Sequence, residues 1–207
     1  MPHLTHDPIV TASAIIMNLQ TVVSRMMSPL ESGVVSITKF QSGDAFNVIP
    51  DSAILRGTIR ALSTDTLIQL RDRVHQIITS TAELYGCNVT LSYSPDFYPV
   101  TINDPELYEA FSKEVAAMVS TEGCVRDTEP TMGAEDFSFL AEKVPSTFFL
   151  LGQGSGQDPP TNYGLHHPCF ALDESVMPLG VELHVNLALR ALQRLNEQRR
   201  NTVSSVA

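Results

Sequence analysis

Tryptophan is absent from this 207-residue sequence, aromatic residues make up only 7% of it, and cysteine occurs three times. Cys87, Cys124 and Cys169 are odd in number and widely spaced, which suits neither a disulfide framework nor a compact zinc knuckle. Three such thiols point to a reducing compartment, and the expected location is the cytoplasm. Basic residues are scarce as well: 13 Lys and Arg against 23 Asp and Glu leave a formal net charge of -10. Without a basic stripe to neutralise phosphates, nucleic acid is not an expected partner. Long apolar runs are missing too. Phe148-Phe149-Leu150-Leu151 is far shorter than the ~20 residues a spanning helix needs, and Met1-Pro2-His3 opens no secretory leader, so no membrane is expected. What is abundant is core material, 43% hydrophobic residues in a chain long enough for one large domain or two small ones.

Ala12, Ile15, Ile16, Leu19, Val22, Val23 and Met26 recur at helical spacing behind Asp7-Pro8, an N-cap followed by an N1 proline. The spacing predicts a helix over about residues 8–25, ended by Ser28-Pro29. Residues 34–40 are rich in β-formers, Gln41-Ser42-Gly43-Asp44 is a turn sequence, and a second extended run covers residues 49–61, so a hairpin is expected. In the second run Ala53, Leu55, Gly57 and Ile59 face the core, while Arg56, Thr58 and Arg60 face the polar side. Leu67, Leu70, Val74, Ile77, Ile78 and Leu84 mark a second helix, with Ser63, Thr64 or Asp65 as cap and Gly86 as stop. Val89, Leu91 and Tyr93 alternate with Thr90 and Ser92 as one more strand. The order helix, strand, strand, helix, strand is a ferredoxin-like sandwich without its first strand. Such a sheet leaves backbone groups unpaired.

Pro95 and Pro99 accompany a change of character, and a domain boundary is expected within residues 95–102. Asp104-Pro105 opens a third helix carrying Leu107, Phe111, Val115 and Met118. A Gly-containing segment, Met132-Gly133-Ala134-Glu135-Asp136-Phe137, leads into a short helix ending near Leu140. A fully apolar strand over residues 147–151 suits the middle of a two-sided sheet. A polar loop then reaches Gly164-Leu165-His166-His167-Pro168, and a final helix is expected over about residues 176–195, with Leu179, Leu183, Leu187, Ala191 and Leu195 on one side and a frayed tail after Glu197. The fold class expected is α/β (α+β).

Four places offer chemistry. His166-His167 ends a loop after a buried strand, where α/β folds present ligands to a crevice. An imidazole suits zinc or manganese, but a metal site needs three or four protein ligands, and surface or core histidines are commoner. Cys169 is a further ligand, a nucleophile, or, more commonly, an inert buried thiol. Glu135-Asp136 sits at a loop-to-helix junction, where two carboxylates serve as acid, base or support for a ligand; favourable capping of the helix dipole is the commoner explanation. Asn47 and Arg60 offer an amide and a guanidinium on one exposed face, able to clamp a carboxylate, or are an ordinary turn asparagine and a solvated arginine. His184 is expected to pack structurally and His75 to be solvated.

Pro2-His3 with Asp7-Pro8-Ile9, Phe46-Asn47-Val48-Ile49-Pro50-Asp51, Arg56-Gly57-Thr58-Ile59-Arg60, Met132-Gly133-Ala134-Glu135-Asp136-Phe137 and Leu165-His166-His167-Pro168 together resemble, in order and spacing, the aminoacylase and carboxypeptidase G family of metallopeptidases. The branch they resemble holds hippurate hydrolase and indole-acetyl-amino-acid hydrolase, and the resemblance is to its C-terminal part. It implies a catalytic α/β domain with two divalent metal ions (zinc, manganese or cobalt) and an inserted ferredoxin-like lid or dimerisation domain. Residues 1–97 match the lid without its first strand, and residues 98–207 the closing half of the catalytic domain. His166 carries over as the last metal ligand. His167 stands where serine or asparagine is usual, a departure that would alter polarity or access at the metal. Asn47 and Arg60 carry over as lid residues contacting the substrate's carbonyl or carboxylate, and Glu135 as an acidic residue lining the site.

The same resemblance puts the other ligands, the general-base glutamate and a Gly-Gly-His lid histidine ahead of Met1. It therefore implies that Met1 is internal to a longer protein, that no catalytic residue lies in this chain and that metal is not bound stoichiometrically here. The implied reaction is hydrolysis of an N-acyl or N-aroyl amino acid by a metal-bridged water, with a small acyl amino acid as substrate and a second copy of the chain as lid partner. Two alternatives stay open: a catalytically silent fragment acting as a dimerisation or interaction module, and a dipeptidase, carboxypeptidase or desuccinylase of the same family.

Overall fold

Residues 1–94, 97–119, 125–154 and 158–204 are described by a computed structural model, the last four as backbone. Pro95 and Cys124 lie outside them. The chain divides into two units: Met1–Thr101 with Glu129–Glu142, and Ile102–Thr128 with Lys143–Ala207.

The first unit is built on two helices and a hairpin. Helix α1, Pro8–Met26, starts where the Asp7 carboxylate accepts the N–H groups of Ile9 (2.8 Å) and Val10 (3.2 Å). Helix α2, Thr64–Leu84, is capped by the Ser63 hydroxyl, which accepts the Thr66 N–H at 3.1 Å. It ends in a Schellman closure: Cys87 N–H bonds to the Ala82 carbonyl, Gly86 N–H to that of Glu83, and Gly86 takes the positive φ of 73° this requires. Strands β1, Gly33–Ser42, and β2, Ala53–Ala61, pair antiparallel with Gly33 opposite Ala61 and Ser42 opposite Ala53. The register shifts between Ile37 and Lys39. Gly57 lies opposite this bulge, where a β-carbon would collide with the Ser36 carbonyl oxygen.

Both helices pack on one face of the hairpin. Ile15, Leu19 and Val22 from α1 meet Leu67, Leu70, Val74 and Ile78 from α2, with Val35, Ile37, Leu55 and Ile59 closing the core from the strands. Among the described residues α1 is the one helix long and apolar enough to cross a membrane by length and composition. A core helix of a globular domain passes the same test, because its buried face supplies the apolar residues. Its apolar face lies in the protein core, with Leu19 and Val22 at 0% exposure.

Residues 89–93, expected as a strand, are coil. Leu91 still packs against the core, whereas Val89 and Tyr93, two residues to either side of it, are exposed. A strand also needs a neighbour to exchange hydrogen bonds with, and among the described residues the sheet holds β1 and β2 alone.

In the second unit, helix α3, Pro105–Val119, begins at Asp104, whose carboxylate accepts the Leu107 N–H at 2.8 Å. Phe111 is its buried residue. Residues 147–151 are not a strand either, and Leu150 is 70% exposed. In place of a ladder, the Asn103 side chain bonds both backbone groups of Phe148, accepting its N–H at 2.7 Å and donating to its carbonyl at 3.2 Å. Helix α4, Ser138–Ala141, is a single turn that belongs to the first unit.

Helix α5, Met177–Ser204, runs well past the expected end at residue 195. No glycine or proline interrupts residues 196–204, so nothing in the sequence stops it. Leu179, Leu183, Leu187 and Ala191 are half-buried as the periodicity implies, whereas Leu195 is exposed.

Candidate functional site

Arg60 lies at the end of β2 away from the hairpin turn, one residue before Ala61, and its exposed guanidinium donates from Nη1 to the Met132 carbonyl at 2.6 Å. This bond ties β2 to the segment Glu129–Glu142 within the first unit. Arg60 and the Met132-Gly133-Ala134-Glu135 stretch, 72 residues apart in sequence, are therefore neighbours in space. A guanidinium holds five N–H groups in a planar fork, so one bond to a carbonyl leaves donors for a carboxylate.

Glu135 is half-buried just ahead of α4. The expected capping role of Glu135 and Asp136 is not found: α4 has Phe137 at its N-cap and no side-chain cap bond. It is the Glu135 backbone carbonyl that accepts, from the N–H of Ser138 (3.1 Å) and from its fully buried hydroxyl (2.6 Å). Those bonds fix the backbone and leave the Glu135 carboxylate uncommitted to the helix.

Asn47 is exposed in the loop joining β1 to β2, beside Phe46, whose side chain is wholly exposed, and Val48. That loop is at the far end of the hairpin from Arg60. Ala53 to Arg60 spans seven steps of extended chain, roughly 23 Å at about 3.3 Å per residue. Within one copy, the length of β2 lies between the loop that carries Asn47 and the strand end that carries Arg60. Side-chain alternation identifies a face of a strand but carries no information about position along it.

In the second unit, His166 is exposed and adopts φ 68°, the positive-φ residue other than glycine among the described residues. His167 N–H donates to the Gly164 carbonyl at 3.2 Å. The His167 ring stacks on Tyr163, with centroids 4.3 Å apart and planes 10° from parallel, and its Nδ1 accepts the Cys169 N–H at 3.0 Å. Cys169 is exposed, not the buried thiol that cysteines usually are. His184 is also exposed, with Nδ1 2.8 Å from the Gly180 carbonyl one turn back, so it bonds its own helix and does not pack in a core. His75 is exposed as expected. Tyr163 and the Met132 carbonyl went unread in the sequence. Neither stands in a pattern that marks it, because both matter only through a contact made in space.

With this geometry in hand, comparison with known proteins defines the class. The profile of peptidase family M20/M25/M40 matches residues 9–190, and the chain belongs to that family of hydrolases. It is 40% identical over 199 residues to IAA-amino acid hydrolase ILR1-like 4 of Arabidopsis thaliana, a stretch covering 94% of this chain and 44% of that protein. Thermostable carboxypeptidase 1 of Saccharolobus solfataricus is 35% identical, with 91% of this chain and 47% of the carboxypeptidase covered. N-acetyldiaminopimelate deacetylase of Pediococcus pentosaceus is 33% identical, with 87% and 45% covered. The chain thus spans less than half the length of each. Among solved structures, a protein of methicillin-resistant Staphylococcus aureus assigned provisionally as an aminohydrolase superposes with a TM-score of 0.78 at 34% identity, over 91% of this chain and 47% of its own. The Bacillus subtilis YXEP protein, a dinuclear metal binding peptidase of the M20 family, superposes at 0.71 and 29% identity, over 90% and 47%.

A dinuclear centre needs several ligands converging on each ion. Among the described residues, no three of the His, Cys, Asp and Glu side chains cluster to hold a metal. The described residues by themselves do not fit such a centre, and His166 has the donor chemistry of a single ligand.

Proposed function

We propose that the protein containing this chain hydrolyses the amide bond of N-acyl or N-aroyl amino acids, with Arg60 holding the substrate's carboxylate. The relatives' names share one chemical feature. An amino-acid conjugate, the C-terminal residue of a peptide and an N-acetylated diamino diacid all place a carboxylate close to the amide that is cut. The observation that carries the reading is Arg60 itself: an exposed guanidinium anchored through Nη1, with donors to spare, beside the segment bearing Glu135.

On this reading residues 1–97 are the lid, a ferredoxin-like unit of which two helices and the two strands of the hairpin are present among the described residues, and residues 98–207 the closing half of the catalytic domain. Glu135 lines the substrate site and His166 is one ligand of a dinuclear zinc, manganese or cobalt centre whose other ligands come from beyond this chain. Asn47 contacts the acyl carbonyl. Its distance from Arg60 is met by a homodimer in which one copy's hairpin loop reaches the other's site; the exposed Phe46 and Val48 beside it are apolar surface for that contact. The competing reading, an interaction module without activity, is favoured by the sheet edges that stay unpaired among the described residues.

In the longer enzyme, Arg60→Ala should raise KM by tenfold or more for hippurate-like substrates, from about 1.5–3 kcal/mol of lost charged hydrogen bonding, and leave the corresponding amide-capped substrates little changed. Equal KM for wild type and variant on the free carboxylates would refute the role. The 207-residue chain alone, given manganese or zinc, should not turn over either substrate.

A further inference from the structure

We propose that His167, locked between Tyr163 and the Cys169 N–H, is a positioning residue that holds His166 in its left-handed backbone conformation. The proposal rests on reading His166 as this chain's functional imidazole. It adds the device that aims it.

Residues 164–167 form a β-turn closed by the His167 N–H on the Gly164 carbonyl, and His166 is its third residue. Leu165 before it has an ordinary negative φ and His166 a positive one, the pattern of a type II turn, which favours glycine or asparagine at that place. A β-carbon there is unfavourable, so the surroundings must hold it. Reversing the sign of φ at position 166 would swing the imidazole to another side of the chain, and whatever fixes the turn therefore fixes where the ring is offered.

His167 fixes it through a second turn that it shares. The Phe170 N–H bonds to the His167 carbonyl at 2.9 Å, with Pro168 in the second position, where proline's φ is already correct. The first position of such turns favours side chains that accept the backbone N–H two residues on, usually those of Asp, Asn or Ser. Here an imidazole does so, Nδ1 accepting from Cys169 N–H at 3.0 Å. The bond requires a bare Nδ1 and leaves the ring proton on Nε2. The near-parallel stack on Tyr163 at 4.3 Å then ties the ring to the chain immediately before the first turn. One side chain thus braces both turns, and His166 lies between the braces.

The test uses the isotopically labelled 207-residue chain in solution. In the unsubstituted protein, nitrogen shifts should show Nδ1 of His167 unprotonated and Nε2 bearing the proton at pH 8; the opposite tautomer overturns the proposal without any variant. His167→Ala should speed hydrogen exchange of the Cys169 amide at least tenfold and move the one-bond Cα–Hα coupling of His166 away from its positive-φ value. His167→Asn, whose side-chain oxygen can accept the same N–H, should restore both. An alanine variant with unchanged coupling and exchange, or an asparagine variant that behaves like alanine, overturns the proposal. In the longer enzyme His167→Ala should lower kcat tenfold or more with little change in KM, again rescued by asparagine. If the coupling of His166 shifts as expected while kcat does not, the brace stands and the functional reading of His166 fails instead.

Discussion

Replacing Leu19 by alanine removes side-chain bulk equivalent to about three methylene groups from a site with 0% exposure, walled by Val22 on its own helix and by Leu70, Val74 and Ile78 of α2 in the same core. The transfer cost is about 2.4 kcal/mol at ~0.8 kcal/mol per methylene. Helices flank the site and both are tied at their N-termini by side-chain caps, so the walls collapse only partly and a cavity term adds to it, for a total of about 3–4 kcal/mol. Alanine's better helix propensity returns a few tenths. Met17 sits on the same helix at 69% exposure, and Met17→Ala should change stability by less than ~0.5 kcal/mol. In urea titrations followed by far-UV circular dichroism, with a slope of about 2 kcal/mol/M, the Leu19 midpoint should fall by roughly 1.5–2 M and the Met17 midpoint should hardly move. The contrast tests what α1 is for. A helix lying in lipid would be indifferent to which of the two positions lost its side chain, so equal midpoints for the two variants would refute its assignment to this core.

Gly57→Ala should destabilise the hairpin by about 1–3 kcal/mol, because its β-carbon meets the Ser36 carbonyl and the Ile37 side chain at the bulge and the strands must part; amide exchange across β1 and β2 would show it, and native protection would contradict it. Asp173 is held below the usual carboxylate range, first by the Ser175 hydroxyl and then by the Ser175 N–H, which it accepts at 2.9 Å ahead of the short 3-10 helix Glu174–Val176. A depressed folded-state pKa stabilises above the unfolded value, and the contribution is lost as pH falls through the folded one. Order at residues 173–176 should therefore persist at neutral pH and fray in acid below the normal carboxylate range, and Asp173→Asn should flatten that dependence in an NMR pH titration.

The sequence determined what is local or periodic. Asp7-Pro8, Ser63 and Asp104 announced three helix starts, Gly86 announced a stop, and the spacing of Ile15, Leu19, Val22, Leu70, Val74 and Ile78 identified the faces that bury one another. These are decided within a few residues, by caps and by side chains one turn apart. The family, too, was legible, since its motifs are short stretches in fixed order. Tertiary structure alone decided whatever depends on a distant partner. Residues 89–93 and 147–151 have the composition of strands and are not strands, since a strand exists only where a neighbour completes its hydrogen bonds. Alternation put Arg60 on the polar face of β2, but its bond to the Met132 carbonyl, 72 residues away in sequence, is made only in space. The strained turn at His166 was likewise invisible, because its support is a ring stacked on Tyr163 and a bond to Cys169 that no pattern of residue types encodes.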